Sequence, residues 1–578
     1  MRRVFAPLGW SLAVLALTLG VSAQGNPPVP APSGPVNPPG IPTAGPPPAL
    51  VPTPNPSASP PGPSAGASPA PASASDTGAV PLAPPPPTPP PTPVPIVIDP
   101  PTTAVEPDKT VMVRVNGVLG TIVATVADPS IADVVPDQNQ RTLFIRGKAI
   151  GATTVTVHDD RMTVTRDLPV RVAYAAGSIA DDAEIRVTGN PADASFLREA
   201  AAYAAQRAAT ARSKAAIAIA PDAIVVHAPL GVDDETSIDV PVQIAGDPYL
   251  SVNGVTRVHV ENFALPKISP AALLVSDFPE TLKTNGVLFT AEIERRKSQR
   301  FLYYHYNPPG QPARRILLKV ENPWPQPATV QFISGSGGPG ANEMEVGHTS
   351  TERFLVREYR NAGTVLTIPP NATINLVDHS LPAGTVVSAL LQLREVEGNP
   401  LHLALVAQDA SAPLDQSIDT TKLLAGGVPH ARGQYPVPEF FFEYTYPVDG
   451  DNLEIPIGQL PLPNLRQGEA LSGDYGVKQS VTVTIVNNHA GSFPVAIYAN
   501  PRGGRATGTF LIDGTLVQAH ALAPFSKYKI WQETIGPHMF RRVQIVTMPE
   551  GGSSYPLRLI FAPDDGSVAP GAPGSPVY

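Results

Sequence analysis

Alternation of apolar and polar residues is the strongest pattern in the chain, and it begins near residue 96. In TVMVRVNGVLGTIVATV (110–126) the alternation runs on both sides of Asn116-Gly117, which predicts a strand, a tight hairpin turn and a second strand. Three more strands are predicted by the same pattern: TLFIRG (142–147), ATTVTVHDD (152–160) and MTVTRDLPVRVAYA (162–175). Together these segments predict a small β-domain over residues 96–175.

One segment shows a helical pattern instead. NPADASFLREAAAYAAQRAATARSK (190–214) is rich in alanine, and Asn190 and Pro191 suit the N-cap and the first position of a helix. The stripe expected to be buried, which ends before Arg207, consists of Phe196, Ala200, Tyr203 and Ala204. Strands are predicted on both sides of this helix, so residues 176–228 form a short predicted β-α-β unit. It is the one helix that the pattern clearly predicts.

From residue 229 onwards the alternation predicts two related, Ig-like β-sandwich domains, over 229–415 and 436–566. RRILLKVENPWPQPATVQFISG (314–335) and QSVTVTIVNNHAGSFPVAIYAN (479–500) share one plan, which is a strand ending in asparagine, a polar turn, a proline and a second strand. Side chains of asparagine commonly close turns at such strand ends. The two asparagines expected to do so are Asn322 and Asn487.

Two other stretches of this region carry turn signals. YLSVNGVTRVHVEN (249–262) contains a second Asn-Gly pair and therefore predicts another hairpin. The connector between the two sandwiches, residues 416–435, is rich in glycine and is predicted to be an exposed linker.

The ends of the chain differ from its middle in composition. Residues 1–23 combine Arg2 and Arg3 with an apolar run and a final VSA, which predicts a secretory signal peptide, with an uncleaved membrane anchor as the alternative. Residues 24–95 are rich in proline and almost free of charge, which predicts a disordered, extended spacer. A disordered tail is predicted over 567–578.

Composition narrows the possible functions. The chain has 578 residues, too many for a single core, and it has no cysteine, so disulfides, thiolate metal sites and cysteine nucleophiles are excluded. A net charge of −9 without a basic stripe argues against nucleic-acid binding. We therefore expect a mostly β, multidomain protein that is exported, with no membrane span after signal cleavage and no cofactor.

The segment VADPSIADVVPDQNQRTLFIRGKAIGATTVTVHDD (126–160) resembles the N-terminal domain of secretin-type pilus assembly proteins, which serve tight-adherence pilus and type II-like secretion systems. The resemblance rests on the phrase DPSIADV, a strand leading into GKAIG, and a final strand, and it extends over 96–175 only. It implies a cell-envelope domain, in the periplasm or at the cell surface, that makes protein–protein contacts. No segment further along resembles the membrane-embedded channel of that family.

The residues that carry this resemblance are also the expected assembly contacts: Asp128, Pro129, Ile131, Asp133, Gly147, Lys148, Gly151 and Thr153. The glycines are expected to permit the turn, and the threonine suits a half-buried strand. Lys148 fits a solvated turn position better than a ligand-binding role.

Short matches to catalytic motifs have simpler explanations. GPSAG (62–66) fits a serine-hydrolase pattern but lies in the proline-rich tract. SGSGGPG (334–340) lacks the lysine of a phosphate loop and is expected to be a flexible hairpin loop with no helix after it. His158, Asp159 and Asp160 are neighbours at a strand end, where successive side chains point to opposite faces, so a solvated turn is expected.

Carboxylates and aromatic residues offer weaker candidates. Asp277 and Glu280 have no histidine near them in the sequence and are expected to be capping groups. VDGDN (448–452) only approaches the pattern of a calcium loop. RFLYYHYNPPG (300–310) and EFFFEYTYP (439–447) are expected to combine core packing with an amphipathic surface.

The leading hypothesis is a non-enzymatic structural role in the assembly of a pilus or secretion system, without catalytic, cofactor or metal residues. Its partners would be other envelope proteins, contacted through strand edges and loops. Binding of carbohydrate or surface polymer is the first alternative, and it requires exposed aromatic side chains, for example Tyr303, Tyr304 and Trp324. An extracytoplasmic hydrolase, whose acid, base and nucleophile converge from distant loops, is the second.

Overall fold

The computed structural model describes residues 95–161, 163–414, 416, 418–466 and 468–567. The predicted signal peptide, almost all of the predicted spacer and most of the predicted tail lie outside these residues. Within the described part the chain is mostly β and multidomain, with 33 strands and two α-helices. Neither helix in these ranges has the length and apolar character needed to cross a membrane.

The first eight strands form an N-terminal sandwich. They are β1 (Val97–Asp99), β2 (Thr103–Val105), β3 (Thr110–Asn116), β4 (Ile122–Val126), β5 (Ala132–Asp137), β6 (Thr142–Gly147), β7 (Gly151–Asp159) and β8 (Thr165–Val172). One sheet has the order β1-β3-β6-β5 and the other β2-β8-β7-β4. The apolar side chains of each alternating strand point towards the other sheet. The buried core between the two sheets includes Val113, Leu143, Ile145, Val155 and Val157.

The turn at Asn116-Gly117 was expected to join two paired strands, and this expectation is wrong. β3 pairs with β1 and β6, whereas β4 pairs with β7 in the opposite sheet. Gly117 has a φ of +81°, as the local signal predicts, but the chain uses the turn to cross from one sheet to the other. The dipeptide therefore predicts a turn correctly without determining which strands pair.

The next segment contains β9 (Gly177–Ile179), β10 (Asp182–Thr188), helix α1 (Ala194–Ala208), β11 (Ala209–Ala211), β12 (Ala216–Ala218), β13 (Glu235–Ala245) and β14 (Val252–Asn262). The predicted helix exists, but its N-cap is Asp193 and not Asn190. Asp193 Oδ1 accepts hydrogen bonds from the backbone N–H groups of Ser195 and Phe196, each at 3.0 Å. Arg207 is exposed, so the buried stripe ends where the pattern predicts.

The Asn-Gly pair in 249–262 does not form a hairpin. Asn253 and Gly254 lie within the continuous strand β14, opposite Gln243 and Val242 of β13. Because β13 supplies partners along the whole strand, pairing between strands overrides the local turn signal.

The central region contains β15 (Leu273–Ser276), β16 (Gly286–Ile293), β17 (Ser298–Asn307), β18 (Arg314–Asn322), β19 (Ala328–Gly340), helix α2 (Glu343–Arg360), β20 (Gly363–Ile368), β21 (Ala372–Leu381), β22 (Thr385–Glu397), β23 (Leu401–Asp409) and β24 (Arg432–Tyr435). A ten-stranded sheet runs in the order β12-β13-β14-β10-β20-β19-β22-β17-β15-β24. A four-stranded sheet, β16-β23-β18-β21, covers one face of it over a large apolar core. Residue 229 was the predicted boundary between two domains, but strands on both sides of it, such as β10 and β14, belong to this one sheet.

Helix α2 was not predicted, and the expectation that SGSGGPG forms a loop without a following helix is wrong. These residues are the second half of β19, and α2 begins three residues after that strand ends. The helix lies on the face of the ten-stranded sheet opposite the four-stranded sheet, where Phe354 and Leu355 are buried with Ile333 and Leu390.

The last nine strands form a second complete sandwich. They are β25 (Glu439–Pro447), β26 (Leu453–Ile457), β27 (Lys478–Val486), β28 (Phe493–Pro501), β29 (Ala506–Ile512), β30 (Thr515–Leu522), β31 (Tyr528–Ile535), β32 (Phe540–Thr547) and β33 (Leu557–Pro563). Their two sheets have the orders β25-β27-β32-β29-β30 and β26-β33-β28-β31. The core between these sheets includes Val481, Val483, Ile497, Val543 and Phe561.

Candidate functional site

Two loops of the N-terminal sandwich meet at one end of its sheets. The first follows β4 and contains Asp128, whose Oδ1 accepts hydrogen bonds from Ser130 N at 2.9 Å and Ser130 Oγ at 2.6 Å. These bonds to the side chain and backbone of Ser130 lower the pKa of Asp128. Its backbone N–H donates to Thr153 Oγ1 at 3.0 Å, which ties this loop to β7.

Lys148 joins the two loops directly. Its Nζ donates to the carbonyl oxygen of Pro129 at 2.8 Å and lies 2.6 Å from Asp133 Oδ1. Its backbone N–H donates to the carbonyl oxygen of Ile131, also at 2.8 Å. The lysine is therefore engaged within the protein, and its contacts hold the loop after β6 against the loop before β5.

The two glycines of this site serve close packing, not a turn that requires positive φ. A Cβ at Gly147 would lie 2.6 Å from the carbonyl oxygen of Glu106, and a Cβ at Gly151 would lie 2.8 Å from Ile131 Cδ1. Neither glycine has a positive φ. The expectation that they permit the turn is therefore wrong. A side chain at Gly147 would meet the backbone of Glu106, whereas one at Gly151 would meet only the end of the Ile131 side chain.

All eight residues expected to make assembly contacts thus come together at one end of the sandwich. We call this set the loop cluster: Asp128, Pro129, Ile131, Asp133, Gly147, Lys148, Gly151 and Thr153. Ile150, at the tip of the loop after β6, is exposed beside them.

A row of exposed apolar side chains lies next to the loop cluster, and the sequence analysis missed it. Met112, Phe144 and Val135 stand directly opposite one another on the neighbouring strands β3, β6 and β5. They are 54%, 37% and 62% exposed, on the face that points away from the core. We call these three residues the apolar row. A signal for it exists in the sequence, because each of the three occupies a position where the alternation calls for a polar residue.

Next to the apolar row, on the side of the loop cluster, lies a charged pair that includes Asp133 of that cluster. Arg146 stands opposite Asp133 of β5 and also pairs with Asp108 at 3.3 Å. The resulting surface has an apolar centre beside a charged edge, which is a common composition for a contact surface between proteins.

The carboxylates of the cluster at His158 bond the backbone, and the expectation of a solvated turn is wrong for Asp159. Asp159 is buried, and its carboxylate accepts hydrogen bonds from Leu119 N at 2.5 Å and Gly120 N at 3.0 Å. Burial alone would raise the pKa of Asp159, but the bonds from Gly120, Arg161 and Leu119 outweigh it and lower the pKa. Asp160 accepts from Thr121 N at 2.7 Å. The two carboxylates thus hold the crossover between β3 and β4.

The aromatic platform required for carbohydrate binding does not form where it was expected. Tyr303 and Tyr304 are buried on opposite faces of β17, Tyr303 in the sandwich core and Tyr304 near helix α2. Trp324 remains partly exposed, with its Nε1–H donating to the carbonyl oxygen of Pro400 at 2.7 Å. A lone ring is not a stacking platform, and this alternative loses two of the three residues named for it.

Groups of the kind a hydrolase needs converge at one buried place. His348 Nδ1 lies 2.9 Å from Glu550 Oε2, and Thr507 Oγ1 donates to the same oxygen. Ser553 Oγ hydrogen-bonds Thr507 Oγ1 at 2.7 Å. The hydroxyl that does contact the imidazole is that of Thr509, 3.5 Å from His348 Nδ1, the nitrogen that also faces Glu550. All five side chains are shielded from solvent, so a substrate has no access to them. The network ties helix α2 to the loop after β32.

Asp277 and Glu280 do have a histidine partner, so the expectation of simple capping groups is wrong. His430 Nδ1 lies 3.4 Å from Asp277 Oδ2, and His430 Nε2 lies 3.0 Å from Glu280 Oε2. Among the described residues, this is the one group of three side chains suited to hold a metal ion. In VDGDN, by contrast, Asp449 pairs with His489 alone, at 2.9 Å.

Comparison with protein families identifies one part of the chain. Residues 99–173 match the model of the pilus formation protein N-terminal region, which confirms the resemblance found in the sequence. The match spans the N-terminal sandwich, including the loop cluster and the apolar row. No curated protein matches the chain in sequence.

Solved structures match only in part. Domains 5–6 of the S-layer protein SbsC are 13% identical, with 29% of this chain and 97% of that chain covered and a TM-score of 0.13. Drosophila N-cadherin EC1-4 is 13% identical over 29% of this chain and 50% of that chain, with a TM-score of 0.12. Human Protocadherin-24 EC1-2 is 9% identical, with 30% of this chain and 98% of that chain covered and a TM-score of 0.13. These low scores carry no functional argument.

Proposed function

We propose that this protein is an exported cell-envelope component of a pilus or secretion system, and that its N-terminal sandwich contacts other envelope proteins. The observation that carries the proposal is the family match over residues 99–173. The role is non-enzymatic, with the signal peptide directing export and the proline-rich tract acting as a spacer.

The contact surface we propose consists of the loop cluster and the apolar row. Binding of a partner over Met112, Phe144 and Val135 would remove their apolar area from water, which contributes roughly 25 cal/mol per Å². The engaged Lys148 and the close-packed glycines keep the neighbouring loops rigid, so little conformational entropy is lost on binding. The contact is non-covalent and uses a surface that already exists in the free chain.

The test uses the full chain as bait on a crosslinked envelope fraction, with captured proteins quantified by mass spectrometry. The doubly substituted variant Met112→Lys/Phe144→Lys places two charges in the apolar row without changing the core. We expect it to recover pilus or secretion subunits ~10-fold less efficiently than the original chain, because apolar anchors commonly dominate binding energy.

The matched control is Phe441→Lys, since Phe441 is 71% exposed on a strand of the last sandwich. This variant should recover the same subunits as the original chain. Equal losses in both variants, or recovery of polysaccharide alone by every bait, would contradict the proposed surface.

A further inference from the structure

A second cluster of polar side chains lies far from the family-matched sandwich, at the edge of the ten-stranded sheet. β24 pairs antiparallel with β15, and the ladder continues past the strand end, where Asp277 N donates to the carbonyl oxygen of Ala431 at 3.0 Å. Tyr306 N donates to the carbonyl oxygen of Glu280 at 2.8 Å. Backbone pairing therefore fixes the positions of Asp277, Glu280 and His430 relative to one another.

The side chains of these three residues converge. One ligand atom from each residue lies within 4.8 Å of the other two, so small side-chain movements bring all three within bonding distance of one ion. The imidazole lies between the carboxylates and faces each with a different nitrogen. His430 is 35% exposed, which leaves its ring room to turn one nitrogen towards both carboxylates.

One carboxylate oxygen of the cluster has no partner, although the imidazole of His430 faces both carboxylates. Asp277 Oδ1 is buried and has no hydrogen-bond partner, although the other oxygen of the same carboxylate faces His430. Burial raises the pKa of Asp277 to about 6; the hydrogen bond from His430 lowers the pKa in part, and nearby Glu280 adds to the rise. Burial also raises the pKa of Tyr304, to which Glu343, Glu280 and Asp277 contribute. A buried carboxylate oxygen without a partner costs free energy that a cation would offset.

The guanidinium of the neighbouring Arg432 does not fill this role. Arg432, two residues after His430, directs its guanidinium to the carbonyl oxygens of Phe278 and Leu424 and lies over the Phe278 ring. Its donors are thus engaged with the backbone and not with the carboxylates.

We propose that Asp277, Glu280 and His430 form a binding site for one divalent transition-metal ion, with Zn²⁺ as the best match. An imidazole nitrogen with two carboxylate oxygens suits Zn²⁺ better than Mg²⁺ or Ca²⁺, which prefer oxygen ligands alone. The chain has no cysteine, so no thiolate site competes for the ion. Three protein ligands leave at least one position for water.

The consequence would be a cross-link between distant parts of the chain. Part of the connector, residues 418–431, passes the edge of the four-stranded sheet, where Leu424 N donates to the carbonyl oxygen of Val287 in β16 at 2.6 Å. An ion bound by His430 from the connector and by two carboxylates after β15 would fasten the connector to the ten-stranded sheet as well. The predicted exposed linker would then be a metal-dependent part of the fold.

The experiment measures Zn²⁺ binding by isothermal titration calorimetry on the full chain after treatment with chelator and dialysis. We expect one tight equivalent of Zn²⁺, with affinity lowered ~100-fold in His430→Gln and ~10-fold or more in Glu280→Gln, because each removes one ligand. Co²⁺ added to the same protein should give visible d–d absorption bands that His430→Gln abolishes. Zn²⁺ should also raise the Tm of the original chain and not that of His430→Gln.

The matched control is His402→Gln, because His402 pairs with only one carboxylate, that of Glu321 at 3.6 Å. It should bind Zn²⁺ like the original chain. Circular dichroism establishes whether each variant is folded. If His430→Gln does not fold, the Zn²⁺ affinity of Glu280→Gln provides the test. The proposal is overturned if the original chain binds no tight equivalent, or if His430→Gln and Glu280→Gln bind as well as His402→Gln. The envelope-contact proposal is unaffected by either result.

Discussion

At the scale of single residues, two asparagines make the same set of hydrogen bonds in two different sandwiches. Asn487 Nδ2 donates to the carbonyl oxygens of Gly491, Ile535 and Gly536, while its Oδ1 accepts from His489 N. Asn322 repeats the pattern with Gln326, Ile368, Pro369 and Trp324. Each asparagine ends a strand and closes the crossover to the opposite sheet, as the likeness of the two segments predicts.

Replacing Asn487 by alanine should therefore destabilise the last sandwich strongly. The substitution removes three donated bonds and leaves buried carbonyl oxygens without partners, which costs about 3 kcal/mol or more of unfolding free energy. Chemical denaturation followed by circular dichroism measures this loss.

The adjacent Asn488 provides the control, because it is exposed. Asn488→Ala should change the free energy of unfolding by less than about 0.5 kcal/mol. If both substitutions had the same small effect, the crossover would not depend on the Asn487 side chain.

At the scale of elements, the glycines of β19 are explained by the helix that follows them. A Cβ at Gly335 would lie 2.2 Å from Phe354 N, and a Cβ at Gly337 would lie 2.0 Å from the carbonyl oxygen of Val346. The glycine-rich stretch is thus a strand without side chains on the face towards α2, so the helix lies directly against the strand backbone. Local composition predicts a loop here because the reason for the glycines lies in another element.

Gly335→Ala should push α2 away from the sheet. The added methyl group overlaps backbone atoms of the helix, which cannot move as a flexible side chain would, so a loss of about 3 kcal/mol is expected. Denaturation monitored by near-ultraviolet circular dichroism reports the disturbed packing around Phe354.

Gly491→Ala is the matched control for this substitution. Nothing lies within 4 Å of a Cβ at Gly491, and its φ is not positive, so the same chemical change should be nearly neutral there. A Gly335→Ala protein as stable as Gly491→Ala would contradict the packing explanation.

At the scale of the whole molecule, α2 connects the central sheets to the last sandwich. Glu358 of the helix pairs with Lys478 of β27 at 2.8 Å, and Lys478 also pairs with Glu439 of β25 at 2.7 Å. Arg300 of β17 completes this buried network at 3.0 Å from Glu439. At the other end of the helix, a Cβ at Gly347 would lie 1.8 Å from the carbonyl oxygen of Gly551. Buried charges make such an interface specific, since each unpaired ion would be costly.

The pair His348–Glu550 in this interface should make its stability depend on pH. Burial lowers the pKa of His348, but the hydrogen bond and charge of Glu550 outweigh it and raise the pKa above its ordinary value. A raised folded-state pKa adds stability that is complete below the unfolded-state pKa and is lost as pH rises through the folded-state pKa. His348→Gln should therefore reduce the free energy of unfolding more at about pH 5.5 than at about pH 8.5.

The measurement is the difference between the original chain and His348→Gln at the two pH values. His305 and His379 titrate as well, because burial lowers their pKa values to about 4. Their contributions are present in both proteins and cancel in the difference. His402→Gln, which removes an exposed pair with Glu321, should change the free energy of unfolding only slightly. If His348→Gln reduced the free energy of unfolding more at high pH than at low pH, the predicted direction of the pH dependence would be wrong.

The sequence by itself determined where many strands lie, because alternation is a local consequence of one buried face. TLFIRG is strand β6 to the residue, and the segment 126–160 was sufficient to indicate its family. The eight residues of the loop cluster were named from sequence and lie close together in the structure, because they come from two short segments near each other in the chain; that they make assembly contacts stays a prediction. The turn at Asn116-Gly117 was found, but not the sheet in which the next strand pairs.

Only the tertiary structure decided features whose partners are distant in sequence. Helix α2 begins with the N-cap Asn342 and ends at Asn361, yet its buried face includes polar residues such as His348 and Glu358, so no apolar stripe reveals it. His430 joins Asp277 and Glu280 because β24 pairs with β15, a pairing that local patterns do not specify. Alternation records which residues face a core, but which strands share a sheet depends on contacts made across the whole chain.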